Sequence, residues 1–293
     1  MELEKPKILI VDDNPGNIDF LIELLSGYDV SAVIDGRSAL EMIHEEKPDL
    51  ILLDINMPGL NGFETCKLIK ASPKTEDIPI IFLSGKTDTE SIITGFDAGG
   101  VDYITKPYRP KEVLVRVQTQ LKLKEAIEAL EKMANEDPLT GIANRRRFFE
   151  RANIMLSTAK VTQKPYYVFV FDLDKFKIIN DTYGHDVGDE VIKMFVQIVN
   201  DNIDDDDCFA RMGGDEFILV MIGVDKDTAR KKIDLIRKGI ASVRSIAGIP
   251  LQFATSIGAA MLVPGDKNLE MIIKRADEKL YKVKAAKNST SKN

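Results

Sequence analysis

Residues 110–136, "PKEVLVRVQTQLKLKEAIEALEKMANE", divide the chain and decide how each side of it is read. The stretch has no glycine and no proline after its first residue, and Pro110 stands where proline is favoured, at the first position of a helix. It predicts one long helix. Its apolar residues recur at the 3,4 spacing of a coiled-coil seam, the pattern by which a helix pairs with a second chain. Two stripes compete: Leu114, Val117 and Leu121 in the first half, then Leu123, Ile127, Leu130 and Ala134 in the second. Prolonging the first stripe reaches Lys124 and Glu128, so the seam must shift near 121–123. The expectation is a stalk that adopts two registers; the alternative is a simple solvated helix that packs on its own domain.

A chain of 293 residues is long enough for a domain on either side of this helix, since domains usually run to ~100–200 residues. A hydrophobic content of 44% and a charged content of 30% are those of a folded soluble protein, not of a disordered one. No apolar run approaches the ~20 residues of a spanning helix, so no membrane partner is expected. The opening "MELEKPKILI" lacks the basic start and long apolar core of a signal peptide, and a cytoplasmic location is expected. Two cysteines, Cys66 and Cys208, make no disulfide framework, and two histidines make a zinc site improbable. The net charge of -7 argues against a surface that coats nucleic acid, and no basic recognition helix follows the first domain, so DNA is not an expected partner. A nucleotide ligand would need metal ions to screen the carboxylates.

Towards the N-terminus, short β-rich apolar runs alternate with helical ones. Lys7–Val11, 30–34, Leu50–Asp54, Ile80–Ser84 and Asp102–Thr105 read as strands, while Ile18, Leu21, Ile22 and Leu25 follow the 3.6-residue period. The pattern predicts an α/β domain with a five-stranded, doubly wound parallel sheet. Ligands of such sheets gather at the carboxyl ends of the strands. Those ends carry Asp12 and Asp13, Asp54, Ser84, and Lys106 followed by Pro107. Carboxylates on neighbouring strand ends repel unless a hard cation shares them, and a lysine and a hydroxyl beside them supply donors for a new anion. This is the arrangement needed to phosphorylate an aspartate.

The segments "ILIVDD", "LLDINMPGLNG", "FLSG" and "DYITKP" resemble the response-regulator receiver domain over about residues 5–122. The resemblance implies Asp54 as phosphoacceptor and a cognate histidine kinase as phosphodonor. It also implies Mg²⁺ (or Mn²⁺) held by Asp12 or Asp13, Asp54 and the Asn56 carbonyl. Ser84 and Lys106 would grip the phosphoryl oxygens, and Tyr103 would be the aromatic that swings with Ser84. On the residues alone, capping a loop is an alternative role for Asp54, and core packing for Tyr103.

Beyond the helix, Pro138 and Gly141 break the pattern and Asn144 is placed to cap the next helix. Strands are expected at 166–171, 217–222 and 252–261, with helices at 187–203, 228–246 and 269–285. Strands that do not simply alternate with helices suggest an α+β sheet with an antiparallel hairpin. The hairpin is "RMGGDEFILV", residues 211–220, whose Gly213 and Gly214 leave room for a ligand at the backbone but also suit an ordinary tight turn. Asp172 ends one strand, and Asp215 and Glu216 lie on the hairpin. Carboxylates from two elements are what a phosphoryl-transfer site uses to hold divalent metals.

Taken together and in order, "DPLTGIANRR", "FDLDKFKIINDTYGHDVGDE", "RMGGDEF", "TSIGAA" and "KRADEKLYKVK" resemble the GGDEF family of diguanylate cyclases over about residues 135–288. The resemblance implies a polymerase-palm-like domain that condenses two GTP into cyclic di-GMP and two pyrophosphates. Each domain would hold one GTP, and two would face each other in a homodimer formed through receiver and linker helix. Asp172, the Leu173 carbonyl, Asp215 and Glu216 would hold Mg²⁺ (or Mn²⁺). Asp215, or a metal-held hydroxide beside it, would take the 3′-hydroxyl proton, and Lys177 would stabilise charge on the phosphates. Asn180 and Asp189 would read guanine, and a carboxylate does accept from guanine N1–H and N2–H₂. Helix capping is their alternative role. Lys284 matches a triphosphate-binding lysine. Lys287 would fill a second basic role in "KAAKN", which is one residue shorter than the family pattern and lacks its glycine.

A further departure concerns regulation. Many relatives carry an Arg-x-x-Asp pair, four residues before the arginine matching Arg211, that binds product as an inhibitory site. Here the two positions are Asp204 and Asp207 in "DDDD", and weak or absent product inhibition is expected there. The alternative is a merely solvated acidic loop. The expected organisation is a receiver at 1–122, a helical linker at 123–135 and a diguanylate cyclase domain at 136–293, active when Asp54 is phosphorylated. A catalytically silent GTP-binding sensor, and an adaptor controlled by dimerisation, are the alternatives.

Overall fold

The computed structural model describes residues 5–85 and 89–290. The chain divides into two compact units, with the boundary between Ala129 and Leu130. No helix among the described residues is long and apolar enough to cross a membrane.

In the first unit, β1 (Lys7–Val11), β2 (Asp29–Val33), β3 (Leu50–Asp54), β4 (Ile80–Ser84) and β5 (Asp102–Thr105) form a parallel sheet of order β2-β1-β3-β4-β5. The helices α1 (Pro15–Leu24), α2 (Gly36–Glu45), α3 (Gly62–Lys70), α4 (Thr89–Asp97) and α5 (Pro110–Asn135) connect and extend it. Alternate strand residues face opposite sides. Leu9, Val11, Ile51, Leu53 and Phe82 meet α2 and α3, while Ile8, Ile10, Leu52, Leu83 and Ile104 meet α1 and α5. Both faces are covered, so the inner strands β1, β3 and β4 read as continuous apolar runs, whereas the edge strand β2, DVSAV, does not. Helix starts are set by side-chain caps: Asn14 accepts from Gly16 N–H, Asp35 from Arg37 and Ser38, and Asn61 and Glu64 form a capping box. Gly62 is required at the start of α3, because a Cβ there would lie 2.2 Å from the carbonyl oxygen of Asp54.

The two stripes on α5 have different fates. Val113 and Val117 are fully buried in the sheet-facing core, with Leu114 and Leu121 packed beside them. Lys124 donates to Asp49 Oδ1 at 2.7 Å. The first stripe is therefore a packing face of its own unit and not a coiled-coil seam, which corrects the expectation and gives the physical reason for the shift near 121–123. Leu123, Ile127 and Leu130 remain exposed at 52%, 48% and 64%.

In the second unit, β6 (Tyr166–Leu173), β7 (Cys208–Gly213), β8 (Glu216–Ile222) and β9 (Thr255–Met261) make an antiparallel sheet of order β7-β8-β6-β9. Its helices are α6 (Arg145–Thr162), α7 (Phe176–Tyr183), α8 (His185–Asn200), α9 (Lys226–Ser242) and α10 (Leu269–Thr290). One face packs Phe169, Phe171 and Phe217 against α8 and α9, and the other packs Tyr166, Val168 and Ile218 against α6 and α10. β6 is buried along its whole length. Gly258 lets α10 lie directly on β9, since a Cβ there would come within 2.1 Å of the Ala276 carbonyl oxygen. Element ends differ from expectation by a few residues. α9 stops at Ser242, before a tight turn that Ala247 and Gly248 make with positive φ. β9 starts at Thr255 and leaves 252–254 irregular, while α10 runs past 285 to Thr290.

Candidate functional sites

At the carboxyl ends of β1, β3 and β5, Lys106 Nζ donates to Asp12 Oδ2 and Asp54 Oδ2, each at 2.8 Å. Asp12 and Asp54 are buried and Asp13 is exposed. Ligand oxygens of Asp12, Asp13 and Asp54 all lie within 4.8 Å of one another. Such a set of hard oxygen donors fits Mg²⁺. The Asn56 peptide N–H donates to Asp54 Oδ1 at 3.3 Å, which brings that peptide to the cluster. Burial pushes the Asp54 carboxyl above its ordinary range, Lys106 pulls it back, and Asp12 adds to the rise. Burial works against the charge on Lys106, but the two carboxylates raise it overall.

Ser84 is buried at the end of β4. Tyr103 is half-buried, edge-on to Phe96 with ring centroids 6.4 Å apart, and the Arg116 guanidinium lies 5.8 Å from its ring. Two neighbours were not anticipated. Asn17 donates to both oxygens of Asp12 at 3.0 Å, and the Tyr108 hydroxyl reaches Asp12 Oδ2 at 3.2 Å. Both lie close in sequence to anticipated groups, but nothing in their spacing marks them.

In the second unit, Asp172 is buried near the end of β6 and registers opposite Glu216 on β8. Asp215 stands at the turn, and its carbonyl accepts from Leu173 N–H at 3.2 Å. Gly213 and Gly214 both have positive φ, and a Cβ on either would meet nothing within 4 Å, so the turn is open to a ligand. Burial pushes the Asp215 carboxyl up, Asp172 adds to this, and Lys284 and Arg211 oppose it. Lys284 Nζ forms an ion pair with Asp172 Oδ2, and Lys287 bonds Asp174 Oδ2 at 2.5 Å and Ser256 Oγ at 3.1 Å. An open cleft joins Asp172, Asp174, Lys284 and Lys287 to Ile179 on α7 and Phe253 before β9.

Asn180 Oδ1 is buried without a partner against Gly188, the neighbour of half-buried Asp189 on α8. Lys177 is exposed on α7. Asp172, Asp215 and Glu216 are the right kind of ligand for Mg²⁺, but they do not converge. Among the described residues, only the trio in the first unit draws its oxygens within 4.8 Å.

Arg211 bonds Asp137 Oδ1 at 3.0 Å and the Gly214 carbonyl at 2.8 Å, tying the segment after α5 to the acidic turn. The opposite charges in "DPLT" and "RMGGDEF" were the available signal for this pair. The acidic run before it is not merely solvated. Asp207 is buried, and Lys232 bonds Asp207 at 2.9 Å and Asp204 at 2.6 Å.

Comparison with known proteins finds the family model described as "Diguanylate cyclase, GGDEF domain" over residues 134–290 and the response regulator receiver domain over 8–118. The chain is 28% identical to the response regulator PleD of Caulobacter vibrioides over 96% of its own length, and spans 64% of that relative. The DNA-binding response regulator MtrA of Mycolicibacterium smegmatis is 38% identical over 43% of this chain and 54% of its own. Among solved structures, the coiled coil and GGDEF domain of DgcB from Caulobacter crescentus, in complex with c-di-GMP, matches with a TM-score of 0.54 at 26% identity, covering 60% of this chain and 94% of that one.

Proposed function

The chain belongs to the diguanylate cyclase GGDEF-domain family and joins that domain to a response regulator receiver, and from this premise we propose that it is a phosphorylation-activated diguanylate cyclase. Two GTP condense, each 3′-hydroxyl attacking the α-phosphorus of the other and expelling pyrophosphate, to give cyclic di-GMP. The observation that carries the reading is the register of Asp172 opposite Glu216, next to an open two-glycine turn that bears Asp215. Asp172, the Leu173 carbonyl, Asp215 and Glu216 would hold Mg²⁺, which supplies Lewis-acid polarisation of the phosphate and of the attacking hydroxyl.

The unpartnered Asn180 oxygen accepts from a guanine N–H, and Asp189 takes the remaining guanine donors. Lys284 and Lys287 bind the triphosphate, and Lys177 steadies the charge that builds on it. Asp215, raised by burial and by Asp172, suits a group that accepts the 3′-hydroxyl proton.

Each domain holds one GTP, so turnover requires two chains face to face, and proximity is the controlled quantity. Asp54 takes the phosphoryl group from a histidine kinase, Lys106 and Ser84 hold its oxygens, and Tyr103 follows Ser84. The exposed stripe on α5 then pairs two chains. The test is GTP turnover by the purified chain with Mg²⁺, with product identification, run with and without beryllofluoride. Cyclic di-GMP formed faster with beryllofluoride, at concentrations that leave dimerisation unsaturated, is the expected result. GTP bound without turnover would identify a silent sensor instead.

A further inference from the structure

We propose that Lys284 is an exchangeable counter-ion, so that divalent metal and triphosphate fill the second-unit site together and each binds weakly alone. The inference rests on the functional reading above and adds to it the way the site fills. Lys284 Nζ is paired with Asp172 Oδ2, the buried carboxylate at the end of the central strand. Asp172 and Asp215 repel one another, and Lys284 is among the groups that offset this. The lysine therefore occupies the place a cation would take, which accords with Asp172, Asp215 and Glu216 failing to converge as the first-unit carboxylates do.

A divalent ion approaching Asp172 must break this pair and then sit beside the displaced ammonium, a like-charge contact. A triphosphate would remove both obstacles, because its oxyanions would accept from Lys284 and offer the metal further oxygen donors. Withdrawing the helix to make room would give up its close packing on β9. Gly258 seats α10 against β9 so closely that a Cβ would lie 2.7 Å from the Leu280 backbone nitrogen. The exchange falls to the Lys284 side chain, a flexible four-carbon stem that is 37% exposed. Coupling of this kind is reciprocal: metal must raise the affinity for triphosphate by the factor by which triphosphate raises the affinity for metal.

The test measures Mn²⁺ binding to the full chain by the electron paramagnetic resonance of free Mn²⁺, with and without a GTP analogue carrying a methylene bridge between the α and β phosphorus atoms. In the unsubstituted protein, nucleotide-free binding should be confined to the Asp12, Asp13 and Asp54 cluster, and a second class of ion should appear only with the analogue. Lys284→Gln should bind that second ion about fivefold more tightly without nucleotide, the scale of a half-exposed ion pair. It should also bind the analogue more weakly, with the coupling reduced. Lys284→Arg keeps the pair and should behave as the unsubstituted protein does, and Asp172→Asn should lose the second ion. Nucleotide-free Mn²⁺ binding in Lys284→Gln that is unchanged or weaker, while the unsubstituted protein binds the analogue, would overturn the exchange and leave the functional reading standing. Failure of the unsubstituted protein to bind the analogue at saturating Mn²⁺ would overturn the functional reading, and the exchange with it.

Discussion

Gly188 makes room for the Asn180 side chain, the proposed reader of the base. A Cβ at this position would fall 1.8 Å from Asn180 Oδ1, a buried oxygen with no partner. Leaving such an atom unpaired costs roughly 1–3 kcal/mol, which a ligand N–H would recover. Gly188→Ala should displace the oxygen and raise the KM for GTP on the order of tenfold, as Asn180→Ala should. Steady-state kinetics on both variants check this, and an unaltered KM would show that the oxygen does not face the base. Asp54 carries a pH prediction. Its carboxyl is raised by burial and held down by Lys106, so Lys106→Ala should move the acid limb of phosphorylation by acetyl phosphate to higher pH. A carboxyl raised by folding holds its proton more tightly in the folded chain. Its contribution to stability is therefore present at low pH and lost as pH rises through the raised value. Asp54 and Lys106 were legible because a parallel sheet gathers its strand ends. Tyr108, which reaches Asp12 across 96 residues of sequence, was not, because no pattern distinguishes a hydroxyl that bonds backwards from one that faces solvent.

Among the elements, α5 shows why a periodic pattern can be read correctly and assigned to the wrong contact. Its two stripes were visible, but period alone does not say whether an apolar face meets its own domain or another chain. Val117 is buried in its own unit and Ile127 is 48% exposed. Val117→Ala should lower receiver stability by about 2 kcal/mol, seen in thermal unfolding. Ile127→Asp should leave unfolding unchanged and reduce turnover at low protein concentration. Lys232 on α9 holds the acidic loop through Asp204 and Asp207. Its replacement by alanine leaves a buried carboxylate uncompensated and should cost about 3 kcal/mol. Cyclic di-GMP titration should give the same binding for Asp207→Ala as for the unsubstituted chain, since this pair of aspartates offers no cation. The inner strands β1, β3, β4 and β6 were the most legible elements, being nearly continuous apolar runs, whereas helix ends depended on turns such as Ala247 and Gly248 that no cap residue announces.

For the whole molecule, the proposed reaction requires an encounter between two chains, so on that proposal turnover per chain should rise with protein concentration and beryllofluoride should lower the concentration at half-maximum. Gel filtration coupled to light scattering would show whether mass follows the same curve. The order of the two folds was legible from where carboxylates fall at strand ends. The pairing of Lys284 with Asp172 was not, because it joins elements far apart in sequence. The contacts at the end of α5 have a practical meaning for anyone building chimaeras. Asn144 donates to the Ala134 carbonyl, Arg146 bonds Ala134 and Asn135, and Arg211 clasps Asp137 to the acidic turn. A transplanted sensor should therefore be spliced upstream of Ala134. A fusion that enters at Pro138 would discard the contacts on which the second unit's hairpin rests.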